Sequence, residues 1–183
     1  MKERDQLIGP PGPEPQLEPW MRGIREGIDP VIGHLMRAAE QIREDAASAL
    51  GDLSSAQIWA KPHGMTSVGF HAKHLAGSTE RLSTYLAGRQ LTPEQLAAIP
   101  TEGEGNETAA ELVGRITAAL DRYEDMVSSL SRQDFGSIRE VGRKRYPVTA
   151  ISLAIHIAEH GQRHIGGLIG AAKLASTVIL RGG

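Results

Sequence analysis

The sequence predicts an all-α protein, a four-helix bundle preceded by a proline-rich N-terminal extension. Three observations carry that expectation. Four segments of roughly twenty residues repeat apolar side chains at three- and four-residue spacing, the period of one helix face. Capping residues and stop glycines bracket several of these segments. No run alternates apolar and polar residues over a useful strand length. With 183 residues the chain suits one sizeable domain and is short for two. The expected division is an extension over residues 1–24, the bundle over 25–175 and a tail over 176–183.

Half of the ten prolines fall in the first nineteen residues: Pro10, Pro11, Pro13, Pro15 and Pro19. That stretch is expected to be extended or disordered, with Trp20 anchoring its end against the domain. Helix one is expected from Asp29 to Leu50, with Asp29 as N-cap, Pro30 at the first helical position and Gly51 as the stop. Ser54 and Gln57 have capping-box spacing and start a short turn of helix ending at Trp59. Helix two is expected from Ser67 to Ala87, with Thr66 as a candidate cap. Val68, Leu75, Leu82 and Leu86 mark its core face, and His71, His74, Ser78, Arg81 and Tyr85 mark an adjacent polar stripe. Thr92 and Gln95 cap a small helix over 93–98, and TEGEGNE at 101–107 reads as an acidic loop. Helix three is expected from Ala109 to Leu130, capped by Thr108 and Glu111. Residues 131–147 form a connection carrying Arg143, Lys144 and Arg145, read as solvated. Helix four covers 148–173, and STVILRGG from Ser176 is expected to be an extended end.

Helix four holds the chemistry. His156, His160 and His164 stand at i, i+4 and i+8, so all three project from one side. His160 and His164 are about 6 Å apart along the axis, near enough to share one ion. A third ligand must come from a facing helix, and helix two offers His74 and His71. Three neutral imidazoles leave coordination positions open, as catalytic sites require. The competing reading is a set of buried histidines satisfied by hydrogen bonds. The segment is not the zinc-protease motif, because Gly161 stands where that motif needs its glutamate base. A second line, Ile151, Ile155, Ala158, Ile165 and Ile169, broken by Gln162, forms a seam toward another helix or another subunit. The helix is therefore expected to be the innermost of the bundle, covered on two sides.

Composition excludes several classes. The formal net charge of −2 gives no basic face for nucleic acid. Cysteine is absent, so any metal ligands are histidine, carboxylate or water, and no thiol nucleophile is built in. No apolar run approaches a membrane span, and the N-terminus lacks a signal-peptide core, so the cytoplasm is the default compartment.

His74-Leu75-Ala76 with Glu80-Arg81, and His160-x-x-x-His164-x-Gly166, together resemble the two motifs of the DinB-like superfamily, over about residues 25–172. The resemblance implies an up-up-down-down four-helix bundle, usually a homodimer. It implies one divalent ion, nickel or zinc, held by His74, His160 and His164. It also implies, for some relatives, a transferase or isomerase activity that uses a low-molecular-weight thiol. The chain departs from many relatives in having Gly167 where they place glutamine.

Around that ligand set, His71 and His156 read equally as a fourth ligand, a proton shuttle, a partner of a ligand or pocket wall. Arg81 could hold a substrate or cofactor carboxylate, but an ion pair to Glu124 or Asp125 on helix three is favoured. Tyr85 and Tyr123 either line the same cavity or pack. Three functions compete: a metal-dependent enzyme acting on a small-molecule substrate by thiol transfer or hydrolysis, a non-catalytic metal- or ligand-binding bundle, and a structural dimer. With no carboxylate standing out as a general base, hydrolysis is the less supported chemistry.

Overall fold

The computed structural model describes residues 17–179. Pro10, Pro11, Pro13, Pro15 and residues 180–183 lie outside them. In chain order the elements are α1 (Pro30–Leu50), α2 (Ser55–Trp59), α3 (Val68–Leu86), α4 (Pro93–Ala98), α5 (Ala109–Ser128), β1 (Ile138–Val141), β2 (Tyr146–Thr149) and α6 (Ala150–Ile179). The four long helices make the bundle, in the ring order α1, α5, α3, α6. No described helix is long and apolar enough to cross a membrane.

The capping chemistry sets the helix starts. Asp29 accepts from the amide of Val31 ahead of α1. Reciprocal capping boxes at Ser54/Gln57, Thr92/Gln95 and Thr108/Glu111 open α2, α4 and α5. Ser67, not Thr66, caps α3 by accepting from Phe70, which leaves the Thr66 hydroxyl for another partner. Helical periodicity then buries one stripe per helix: Ile32, Leu35, Ala39, Ile42, Ala46 and Leu50 on α1, and Leu112, Ile116, Leu120, Tyr123 and Val127 on α5. Each fully buried leucine or isoleucine contributes about 1.5–3 kcal/mol relative to exposure.

Contacts fix the helix directions. Asp29 meets Arg132 just beyond α5, and Arg43 meets Asp121 and Glu124, so α1 and α5 are opposed. His71 meets His164 and His74 meets His160, so α3 and α6 are opposed. Lys73 pairs with Glu107 and Glu80 with Arg122, so α3 and α5 run together. Round the ring, two helices therefore run up and two down. Along the chain the order is up-down-down-up rather than up-up-down-down, because the 87–108 crossover returns from the end of α3 to its beginning before α5 starts.

Four local expectations change. Residues 131–147 contain a hairpin, with Ile138 opposite Thr149 and Val141 opposite Tyr146. Its strands are four residues long, β1 reads Ile-Arg-Glu-Val without apolar–polar alternation, and Pro147 sits within β2, so no strand pattern marks it in the sequence. Gly142 and Arg145, both with positive φ, make its turn and hold the basic triplet in solvent. Residues 176–179 continue α6 instead of extending. Ala171, Ala172 and Ala175 pack into the core on the turn just before it, and the helix runs on past the exposed, β-branched Thr177. Trp20 is 62% exposed, and among the described residues its indole bonds to Glu18. Arg22 holds the segment instead, through Glu40 and Glu44 on α1. Finally, α6 is not enclosed all round. Leu153, Ala154, Ile157, Ala158, Ile165 and Leu168 face the core, whereas Ile155, His156, Glu159 and Gln162 are exposed. The apolar seam is thus split between core and surface.

Candidate metal centre

Two helices and one connection build the site. The antiparallel packing of α3 on α6 sets His71 and His74 against His160 and His164. Ring centroids are 4.4 Å apart for His74 and His164, 4.6 Å for His160 and His164, and 5.4 Å for His74 and His160. One nitrogen from each of His74, His160 and His164 lies within 4.8 Å of the other two, so this group could hold a metal ion. His74 Nε2 and His160 Nε2 are 3.2 Å apart. That is less than twice the ordinary imidazole–metal distance of about 2.0–2.1 Å, so a single ion can reach both.

The imidazoles are oriented by hydrogen bonds. His74 Nδ1 donates to Glu102 Oε2 at 2.7 Å. A carboxylate only accepts, so His74 carries a proton on Nδ1, and in the neutral ring that tautomer turns the Nε2 lone pair toward His160. Glu102 Oε1 accepts from Arg81 Nη1, also at 2.7 Å. His164 Nδ1 lies 3.3 Å from His71 Nδ1, and His71 Nε2 lies 3.0 Å from the Thr66 hydroxyl. His160 Nδ1 is buried with no hydrogen-bond partner among the described residues. Phe70 stacks on His74 at 5.5 Å and meets His71 and His164 edge-on, closing the apolar side of the cluster.

Electrostatics keep His160 and His164 neutral. Burial first, and then the neighbouring His74, push His160 and His164 down to about 4. Burial likewise lowers His71, with His74 adding to the shift. Burial alone would raise the Glu102 carboxyl, but the hydrogen bonds from His74 and Arg81 outweigh it and hold it below the usual carboxylate range. The cluster therefore offers the unprotonated imidazoles of His160 and His164, with the Glu102 carboxylate behind His74, and imidazole nitrogen is a donor that borderline divalent ions accept.

Glu102 arrives on a connection, and the connection is pinned. The Trp59 indole donates to the Glu107 carbonyl at 3.1 Å. Lys73 Nζ donates to the Glu104 carbonyl at 2.9 Å and pairs with the Glu107 carboxylate. Gly77 makes room for the Arg81–Glu102 pair: a Cβ there would lie 2.6 Å from Glu102 Oε1 and 2.8 Å from Arg81 Nη1. Gly161 is closely packed as well: a Cβ there would meet the Ile42 Cδ1 methyl at 2.5 Å. A glutamate at that position would point into the core.

The remaining candidates distribute as follows. Arg81 is buried on Glu102 rather than paired with Glu124 or Asp125; Glu124 instead takes Arg43. Tyr123 is 1% exposed and donates to the Ala154 carbonyl at 2.9 Å, so it braces α5 against α6 and does not line a cavity. Burial raises its phenol pKa. Tyr85 is buried in the core cluster. His156 is exposed, its ring 5.8 Å from that of His160. Sequence reasoning missed Glu102 and Phe70. Phe70 stands one residue before His71 and four before His74, an i, i+4 aromatic–histidine pair that could have been noticed. No spacing signal points to Glu102.

The family model described as the DinB superfamily matches residues 38–168, more than half of the chain and all three clustered imidazoles. No curated protein is similar enough to match. Among solved structures, YfiT from Bacillus subtilis, described as "a probable metal-dependent hydrolase with an unusual four-helix bundle topology", matches with a TM-score of 0.60. The match covers 84% of this chain and 93% of that one at 14% identity, a likeness of fold.

Proposed function

The chain belongs to the DinB superfamily, and from that premise we propose that it is a divalent-metal-dependent enzyme whose ion is held by His74, His160 and His164. The carrying observation is the pair of Nε2 atoms 3.2 Å apart, one of them locked by Glu102, with His164 completing the group. An all-imidazole set favours zinc or nickel over magnesium or calcium. When bound, such an ion supplies Lewis-acid activation of a thiol or a water at its open positions.

Thiol transfer to an electrophilic small molecule is the reading we favour. Both oxygens of Glu102 are engaged, by His74 and Arg81, so this carboxylate orients a ligand and is not free to take a proton from water. A thiol, with an ordinary pKa near 8.5, needs far less help to ionise than water does. The chain has no cysteine, so the thiol comes from a small molecule. In the transfer, a sulfur–carbon bond forms as the carbon–leaving-group bond breaks, and the thiol proton passes to solvent. Hydrolysis is the second reading, supported by the description of YfiT.

The test has two stages. Protein purified without a histidine tag is expected to carry about one first-row metal per chain, and no metal even after loading would overturn the proposal. Metal-dependent conjugation of small thiols to an electrophile, set against hydrolysis of activated esters and amides, then separates the two chemistries.

A further inference from the structure

We infer that His71 is a positioning residue for His164, held in place because residue 167 is glycine. The inference rests on the reading of His164 as a metal ligand, and its own evidence is geometric. The Nδ1 atoms of His71 and His164 are 3.3 Å apart. If Nε2 of His164 carries the ion, its Nδ1 must carry the proton, because a neutral imidazole has one of each. His71 Nδ1 is then the acceptor. His71 in turn carries its proton on Nε2, where the Thr66 hydroxyl stands 3.0 Å away to receive it. The three residues form one consistent chain: His164 donates to His71, and His71 donates to Thr66. The other tautomer of His164 would take its Nε2 lone pair away from the ion, and the other tautomer of His71 would set two N–H groups against each other.

Gly167 supplies the room. A Cβ there would lie 2.5 Å from His71 Cε1 and 2.8 Å from its Nδ1. The neighbour is a rigid ring, half-buried between α3 and α6, so it could not yield at its tip as a flexible chain would. An alanine would push the ring, and its Nδ1, away from His164. The cap of α3 fits the same scheme. Ser67 takes the capping bond, so Thr66 is free to face His71. His74 thus has a carboxylate behind it and His164 a neutral imidazole, while His160 has neither.

The experiment measures zinc affinity by competition with a chromophoric chelator, alongside proton-detected nitrogen NMR of the zinc-loaded imidazoles. His71→Phe keeps the ring volume and removes the acceptor, and Gly167→Ala displaces the ring. Each is expected to weaken zinc binding by about 10- to 100-fold, the range for partners that orient metal-bound histidines. Because both act on one contact, the double variant should lose little more than the weaker-binding single. In His71→Phe the His164 Nδ1 proton should exchange rapidly with water while the His74 Nδ1 proton stays protected by Glu102. Zinc affinity within twofold of wild type in His71→Phe, or a protected His164 proton in that variant, would overturn the inference. A wild type that binds no zinc, or a His164→Ala that binds it normally, would instead sink the underlying ligand assignment. Thermal unfolding of each metal-free variant identifies any loss of fold. Should Gly167→Ala fail to fold, His71→Phe decides alone.

Discussion

Replacing Glu102 with glutamine tests how the site is organised. The substitution is nearly isosteric and removes one negative charge from a side chain that is 5% exposed. Glutamine has one acceptor oxygen, whereas the native carboxylate accepts from two donors, Arg81 Nη1 and His74 Nδ1, each at 2.7 Å. Arg81 has no acceptor capacity, so the amide oxygen must serve it and the amide nitrogen must face His74. That nitrogen donates, which drives the His74 proton from Nδ1 to Nε2, the atom 3.2 Å from His160 Nε2. An ion then has to displace the proton and leave two donors opposed. Losing a hydrogen bond to a charged group costs about 1.5–3 kcal/mol. That corresponds to roughly 10- to 150-fold in metal affinity, in line with the about 10- to 100-fold seen for partners of metal-bound histidines. Metal-free stability should fall too, because the buried guanidinium loses its counter-charge. A loss of about 2 kcal/mol would lower Tm by about 4–8 °C in a chain of this size. Chelator competition and calorimetry read the two effects separately. Gly77→Ala provides an independent perturbation, displacing the Arg81–Glu102 pair while keeping both charges. A Glu102→Gln protein that binds zinc within twofold of the wild type would refute the argument that this carboxylate sets the His74 tautomer.

Other outcomes can be stated briefly. His164→Ala is expected to abolish tight metal binding with helical circular dichroism unchanged; global unfolding would mean that the ring serves packing. His156→Ala should change zinc affinity less than about threefold, since this exposed ring stands apart from the converging group, and a loss of about 100-fold would make it a ligand. Metal-free protein should lose stability as pH falls from 6.5 toward 4. In that window the unfolded chain takes up protons that buried His160 and His164, titrating near 4, still refuse; below it the loss levels off. A denaturant midpoint that is flat over this range in wild type would contradict those shifts. For assembly, we propose that the exposed strip of Val31 and Ile155 between α1 and α6 faces a second copy. Ile155→Glu should then convert a sedimenting dimer to a monomer, and a wild-type monomer would end that proposal.

What the sequence disclosed follows from the range of the interactions involved. Helix starts were legible because caps are local: Asp29, Ser54, Thr92 and Thr108 each act on an amide two or three residues away. The facing of His160 and His164 was legible because helical periodicity fixes it, and their rings do stand together. Naming His74 as their companion took a family resemblance, since spacing offered His71 equally. The rest depended on contacts far apart in sequence. Glu102 lies 28 positions from His74 in an irregular connection, and nothing periodic marks it. The partner of Arg81 was expected on a helix for the same reason. The hairpin went unseen because its strands are four residues long and β1 reads apolar–polar–polar–apolar, Ile-Arg-Glu-Val, with no strand period in the sequence. The direction of α5 depends on how a crossover returns, which no local signal encodes.

The division of labour between helix and connection has an evolutionary corollary. The three imidazoles grow from α3 and α6, where a shift of one position would rotate them off the common point and disturb the core. Glu102 grows from a segment clasped by Trp59 and Lys73, outside regular secondary structure. Changes there act on the Arg81–Glu102 pair and not on the helix positions of the imidazoles, so the group that sets the His74 tautomer can change while the ligands stay. Two homologues with identical histidines could on this account differ in metal preference and chemistry, and the 101–107 segment is the place to compare them.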